Sequence, residues 1–269
     1  MFYRTYTNSG GGPTGEADPA SVSGFRLDKY LVTVGRFRQF VNAWKSGGGL
    51  PAMGSGKHTH LNNGQGLRDP GTGAFEPGWA TTDNGNIAPT DANLTGGTWT
   101  SSPGSQENLP ITTVNWFEAY AFCIWDGGFL PSEAEWEYAQ AGGSQQRQYP
   151  WGSTAPGTTN MYAIYGCYYP DGSGNCANAT VAPVGTATLG VSLWGQLDLA
   201  GELEAWVFDV YGPYATPCND CAYAQLPSNG QRSVRGDFYI ADPSQLVATT
   251  RWLDYPVNRG DGMRCARTP

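Results

Sequence analysis

Apolar residues recur at helical spacing in three stretches of the chain. Residues 32–44, VTVGRFRQFVNAW, place Val34, Phe37, Val41 and Trp44 on one face, with Thr33 positioned to cap the first turn. Residues 115–128, NWFEAYAFCIWDGG, open on Asn115, carry Glu118 three positions later and stop at Gly127. Residues 131–143, PSEAEWEYAQAGG, repeat that reciprocal capping pattern with Ser132, Glu135 and Gly142. The second half changes period. LEAWVFDVY, RSVRGDFYI and GMRCAR read as short strands between turns. Between 46 and 112, Gly, Asn, Thr and Pro dominate and no period is visible. So long a loop within one compact domain is unusual, and is either functional or pinned by other means. The pattern predicts an α+β fold with few helices, irregular antiparallel strands and long loops. No repeat or linker divides the chain, so residues 1–269 read as a single domain.

Composition narrows the picture. The chain holds 38 Gly, 19 Pro, 10 Trp and 15 Tyr, and only 14% of it is charged. That suits a loop-rich globular domain with an aromatic core rather than disorder. A formal net charge of −8 argues against a nucleic-acid partner. No apolar run nears the roughly 20 residues a membrane helix needs. The opening MFYRTYTNSGGGPTGEADP is polar and lacks the apolar segment of a signal peptide. Six cysteines, an even number, favour disulfides and an oxidising compartment, so a secreted or extracytoplasmic location is expected. Cys167 and Cys176 bracket a Pro-Asp-Gly-Ser-Gly turn that a local bridge closes easily. Cys218 and Cys221, in CNDC, pair with each other, act as a redox motif, or join Cys167 and Cys176 in a four-thiolate zinc site. His58 and His60, in KHTH, have a metal-ligand spacing without an evident third ligand; histidines in a Gly-rich loop read first as solvated.

Several longer stretches occur in a telling order: FRLDKYLVTVGRFRQFV, LPITTVNWFEAYAFCIWDGGFLPSEAEWEYAQAGG, YPWGS, APVGTATLGVSLWGQLDLAG, and SVRGDF followed by GMRCAR. Over about residues 24–267 the chain resembles the formylglycine-generating enzyme family, also called the sulfatase-modifying-factor family. LPSEAEWEYA followed by YPWG is its most specific part. The resemblance implies a variant C-type-lectin-like fold and oxidation of a substrate cysteine by oxygen, on copper held by two cysteines. Laid on Arg235 and Gly236, the family's Arg-Gly-Gly-Ser strand puts those cysteines at Ala241 and Leu246. Neither side chain supplies the thiolate that Cu(I) needs. Copper and the oxidase activity are therefore not expected. Asp237 and Phe238 stand where the family has Gly and Ser, Leu31 where it has Glu, and Phe129 where it has Arg. Cys123 and Cys265 match a structural pair, so the resemblance implies that they are bridged.

The resemblance also implies structural calcium. One family site maps onto Asp198, the Gly201 and Leu203 carbonyls, and a carboxylate that is Ala205 here. Glu202 and Glu204, read on one strand face, either offer oxygen to a hard cation or are solvated acids. A second site begins at Asn160-Met161; its later Asp ligand falls near Cys176, within GCYYPDGSGNC, leaving Asp171 as a substitute. The expected function is a ligand-binding scaffold with a resculpted former active-site face. Asp237, Phe238, Tyr239, Ile240, Trp252 and Tyr255 would line it, beside Glu202 and Glu204. Aromatic residues with a few acids suit a small molecule, a peptide or a glycan. The competing expectation is an enzyme whose repurposed pocket uses Asp237, Glu202 and Glu204 as acid–base groups.

Overall fold

Side-chain caps decide where the helices begin. The computed structural model describes residues 1–224 and 230–269. Helix α1, Val34–Lys45, starts after Thr33, whose hydroxyl oxygen accepts the Arg36 N–H. A four-residue helix α2, Asp91–Leu94, follows in the long loop. Helices α3, Trp116–Trp125, and α4, Glu133–Ala141, both open on complete capping boxes, Asn115 with Glu118 and Ser132 with Glu135. Helix α4 ends where Gly142 turns to φ +67°, a left-handed conformation that glycine adopts without strain.

The strands are short: β1 Phe2–Asn8, β2 Pro13–Ser21, β3 Arg26–Leu27, β4 Ala205–Val210, β5 Cys218–Asn219, β6 Arg232–Arg235, β7 Trp252–Asp254 and β8 Ala266–Arg267. They form three small sheets ordered β1-β2-β5, β3-β8 and β4-β6-β7. In the last, β4 pairs antiparallel with β6 (Ala205 opposite Arg235), and β6 with β7 (Val234 opposite Trp252). The β1–β2 hairpin was not foreseen. Its inward positions are Phe2, Arg4 and Tyr6, and the arginine breaks the apolar alternation. Arg4 is buried because its guanidinium bonds the Ala215 carbonyl and lies 4.2 Å from the Tyr214 ring centre.

The stretch from 46 to 112 is pinned by isolated apolar anchors. Leu61, Leu67, Trp79, Ile87, Leu94 and Trp99 all enter the main core with Phe37, Phe40, Phe122 and Trp206. They lie too far apart in sequence to register as a period. All six cysteines are paired: Cys123–Cys265, Cys167–Cys176 and Cys218–Cys221. The zinc reading of CNDC therefore falls. The replacements at Leu31 and Phe129 serve different neighbourhoods. Leu31 packs with Trp136, Leu199 and Leu203, whereas the Phe129 ring lies 3.9 Å from that of His58.

Candidate functional site

The site grows from the end of β6. Arg235 is fully buried, and its guanidinium is gripped by Glu133 and Glu137 of α4, the Tyr214 hydroxyl and the Thr250 carbonyl. Gly236 follows at φ +82°, where a Cβ would lie 3.1 Å from the Leu203 carbonyl oxygen. The chain turns there and carries Asp237 inward. Asp237 is 1% exposed; its Oδ1 accepts the Trp252 indole N–H at 2.9 Å, and its Oδ2 meets no donor.

Glu204 immediately precedes β4. The Gly262 N–H donates to the Glu204 carbonyl at 2.8 Å, and the Trp206 N–H to the Gly262 carbonyl at 3.0 Å. This short parallel bridge sets Asp261 beside Glu204, close enough that each carboxyl shifts the other's ionisation. Two carboxyls this close ionise together only at a cost, so the pair favours keeping a proton. Burial, then the charges of Asp261, Asp237 and Asp254, push Glu204 up to about 8. Burial and Asp254 push Asp261 up to about 7. Burial does the same for Asp237, against the pull of the Trp252 N–H and Arg235.

Next to this cluster is a cleft of about 470 Å³, lined in part by Leu203, Phe238, Tyr239, Arg259, Thr98 and Thr113. Arg259 is already committed: its two terminal nitrogens lie 2.6 and 2.7 Å from the Glu118 carboxylate. Phe238 and Tyr239 are half-buried, while Ile240, Trp252 and Tyr255 are 55%, 38% and 48% exposed. Leu253 and Val257, not singled out from sequence, are exposed beside them.

Several expectations need correcting. Glu202 and Glu204 do not share a strand face. Glu202 has φ +75°, which breaks the two-residue alternation, and β4 begins only at Ala205. Glu202 is buried, not solvated; its Oε1 accepts the Ala182 N–H at 2.6 Å. Burial and nearby Asp198 raise its carboxyl well above the usual range. Asp198 is buried too and accepts the Gly185 N–H at 2.8 Å. Of the three acids read as one acid–base set, the structure brings Glu204 and Asp237 together and leaves Glu202 with Asp198. Asp261 is the partner that sequence missed, because a bridge between distant segments places it.

His58 is not solvated either. It is fully buried, with Nδ1 3.1 Å from Glu76 and Nε2 3.1 Å from Glu135. Burial alone would lower its pKa, but Glu135 and Glu76 outweigh that and hold it up at about 10. Both ring nitrogens are occupied, so His58 is a core cation rather than half of a metal pair. His60 stacks on Phe129 instead. Ala241 and Leu246 are buried, Leu246 among Tyr149, Ala163 and Tyr165. Asn160 donates from Nδ2 to the Tyr168 carbonyl and leaves Oδ1 unpartnered; Met161 is half-exposed. Asp171 is exposed and caps the Ser173 N–H. Among the described residues, one group, Asp28, Asp126 and Cys265, has donor atoms as close as a metal needs. The Cys265 sulfur is bridged, and Arg36 and Arg267 neutralise the two acids, so this is an ion-pair network.

These shifts set the pH response. Glu204, Asp261, Asp237 and Asp209 have folded pKa values of about 8, 7, 7 and 7, above their ordinary values. His58 stays protonated to about 10. Between about pH 4 and 9 the folded chain thus binds more protons than the unfolded one, against the opposing pull of His60 alone, which burial lowers, and stability falls as pH rises. The contribution of His58 is complete below about 6.5 and is lost on approach to 10. Glu135 and Asp69, held low, act only at the acid end. Thermal unfolding at constant ionic strength is expected to give a higher Tm at pH 5 than at pH 9. A flat or rising profile would contradict this assignment.

Sparse capped helices, small antiparallel sheets and long loops pinned by three disulfides define an α+β scaffold that presents loops. The chain belongs to the family described as "Sulfatase-modifying factor enzyme 1-like domain", which matches residues 5–269. It is 29% identical over 231 residues to a formylglycine-generating enzyme of Streptomyces coelicolor, covering 82% of this chain and 69% of that one. It is 31% identical over 178 residues to the inactive C-alpha-formylglycine-generating enzyme 2 of Mus musculus, covering 62% of this chain and 53% of that one, about half of the relative's length. The structure of PvdO from Pseudomonas aeruginosa shares the fold, with a TM-score of 0.57 at 19% identity over 91% of this chain and 80% of that one.

Proposed function

We propose that this chain is a catalytically divergent family member that binds a ligand on the face formed by Asp237, Phe238, Tyr239, Ile240, Trp252 and Tyr255, with Glu204 beside it. One observation carries the reading. All six cysteines are in disulfides, so no thiolate is free to hold Cu(I), and the positions matching the copper cysteines are Ala241 and Leu246. The inactive relative in mouse is a precedent for such divergence. The cleft at Phe238 and Tyr239 offers aromatic surface and threonine hydroxyls, which suit a small molecule, a peptide or a glycan. A second reading, an acid–base enzyme at the same face, is favoured by the carboxyl pair of Glu204 and Asp261, with Asp237 close by. Glu202 takes no part in it.

Calcium, if held, is structural. Asp198 and Glu202 are two buried acids close enough to raise one another's cost of ionisation, and they suit a hard cation. Glu202 would stand in for the carboxylate lost at Ala205, beside the Gly201 and Leu203 carbonyls. At the second family site, the buried Asn160 Oδ1 and the Met161 carbonyl are the oxygens on offer. Residues 1–269 are read as one domain. The three bridges fit an oxidising compartment, hence a secreted or extracytoplasmic location. No helix among the described residues is long and apolar enough to cross a membrane.

The decisive assay incubates the protein with copper, oxygen and a sulfatase-type cysteine peptide, read by mass spectrometry. No formylglycine product is expected, and clear turnover would overturn the reading.

A further inference from the structure

We propose that the acid cluster at Glu204 is a recognition site for an alkylammonium group. This rests on the ligand-binding reading above and narrows it to one class of ligand.

Apart from Glu202, the chain pairs its buried glutamates with cations elsewhere. Glu76 and Glu135 share His58, Glu118 has Arg259, and Glu133 and Glu137 have Arg235. The cluster of Glu204, Asp237, Asp254 and Asp261 breaks that habit. Among the described residues none of the four forms an ion pair. Asp237 and Asp261, at 1% and 2% exposure, each keep a carboxyl oxygen that meets no protein donor. Buried acceptors are seldom left without a partner, because each such group costs its full desolvation penalty. A group from outside the chain is the missing donor.

The surroundings choose among cations. A divalent ion gathers several oxygens at about 2.3–2.6 Å. Among the described residues, the three-donor group with atoms mutually within 4.8 Å is the Asp28 network, so the oxygens of Glu204, Asp237 and Asp261 are spread more widely than that. An ammonium has only three N–H donors, so two or three acceptors satisfy it, where a divalent ion needs a shell of six or more oxygens. The rim agrees. The Trp252 indole is fixed by its bond to Asp237, and Trp252 and Tyr255 expose their rings at the edge of the cluster. Aromatic faces beside carboxylates hold organic cations. Glu204 is the partly exposed acid of the cluster, and Asp237 and Asp261 are buried. A net charge of −8 adds long-range attraction.

The probe is cadaverine (1,5-diaminopentane), titrated calorimetrically into the full chain. 1,5-Pentanediol, glutarate and calcium chloride serve as comparisons at matched ionic strength. Saturable binding of cadaverine, but not of the diol or glutarate, is expected, with at least tenfold weaker affinity in Glu204→Gln and in Asp261→Asn. Both variants conserve shape, and a melting curve verifies that each is folded. Absence of cadaverine binding, unchanged affinity in a folded Glu204→Gln protein, or calcium binding in its place that Glu204→Gln abolishes would each overturn the amine assignment. Diol binding that Tyr239→Ala removes, without any cadaverine response, would overturn it while leaving the ligand-binding reading standing.

Discussion

Replacing Arg235 with methionine is expected to lower the unfolding free energy by about 3–5 kcal/mol, the usual cost of removing one partner from a buried ion pair. Arg235 and Glu137 are both fully buried, and the same guanidinium also forms an ion pair with Glu133 and donates to the Tyr214 hydroxyl and the Ala248 and Thr250 carbonyls. Methionine fills much of the volume but strands Glu137, whose carboxyl burial already pushes up to about 7. Without the guanidinium that carboxyl rises further, so the loss should deepen as pH climbs above 7. Glu133 keeps a second partner in Arg251, so the damage centres on Glu137. Urea unfolding at pH 6 and pH 8 reads both effects. The double variant Arg235→Met/Glu137→Gln should recover part of the stability, since no charge is then left buried. A loss under 1 kcal/mol for Arg235→Met would show that the buried network is energetically idle.

Removing the Cys123–Cys265 bridge, as Cys123→Ala/Cys265→Ala, should cost about 5 kcal/mol in the chain-entropy model. The bridge joins residues 142 apart in sequence and ties α3 to the C-terminal segment. That segment is also held by two-residue pairing of β8 with β3, by the antiparallel bridge between Phe129 and Ala266, and by the ion pairs of Arg267 with Asp28 and Asp126. The same model gives the Cys167–Cys176 bridge, nine residues apart, about 2.5 kcal/mol. The test compares urea midpoints of the two double variants, in protein purified without reductant. Equal losses would mean that loop length does not govern these bridges. An unaltered midpoint in the long-loop variant would mean that packing alone holds the C-terminus.

The three longer helices were legible in the sequence because their signals are local, whereas the four-residue α2 was not. Thr33, Asn115 and Ser132 each cap a helix within three residues of themselves, and Gly142 stops one by its own conformational freedom. The α+β class, the scarcity of helix and the family were legible for the same reason, since they rest on runs of contiguous residues. What sequence misplaced are side chains whose partners come from far away. His58 lies in a Gly-rich loop that looks solvated, yet it is sealed between Glu76 and Glu135, 18 and 77 residues on. Glu204 and Asp261 meet through one short parallel bridge with no signature in either segment. Glu202 was put on the same face as Glu204 by a strand rule that fails at a left-handed residue. The β1–β2 hairpin was hidden because Arg4 sits inward, where its charge is met by the Ala215 carbonyl and the Tyr214 ring. Signals carried by adjacent residues were thus enough for the starts of the three longer helices and for the fold class. Which acids are neutralised and which stand unpaired became visible in three dimensions alone, because burial and charge pairing depend on distances between segments that chain order does not encode.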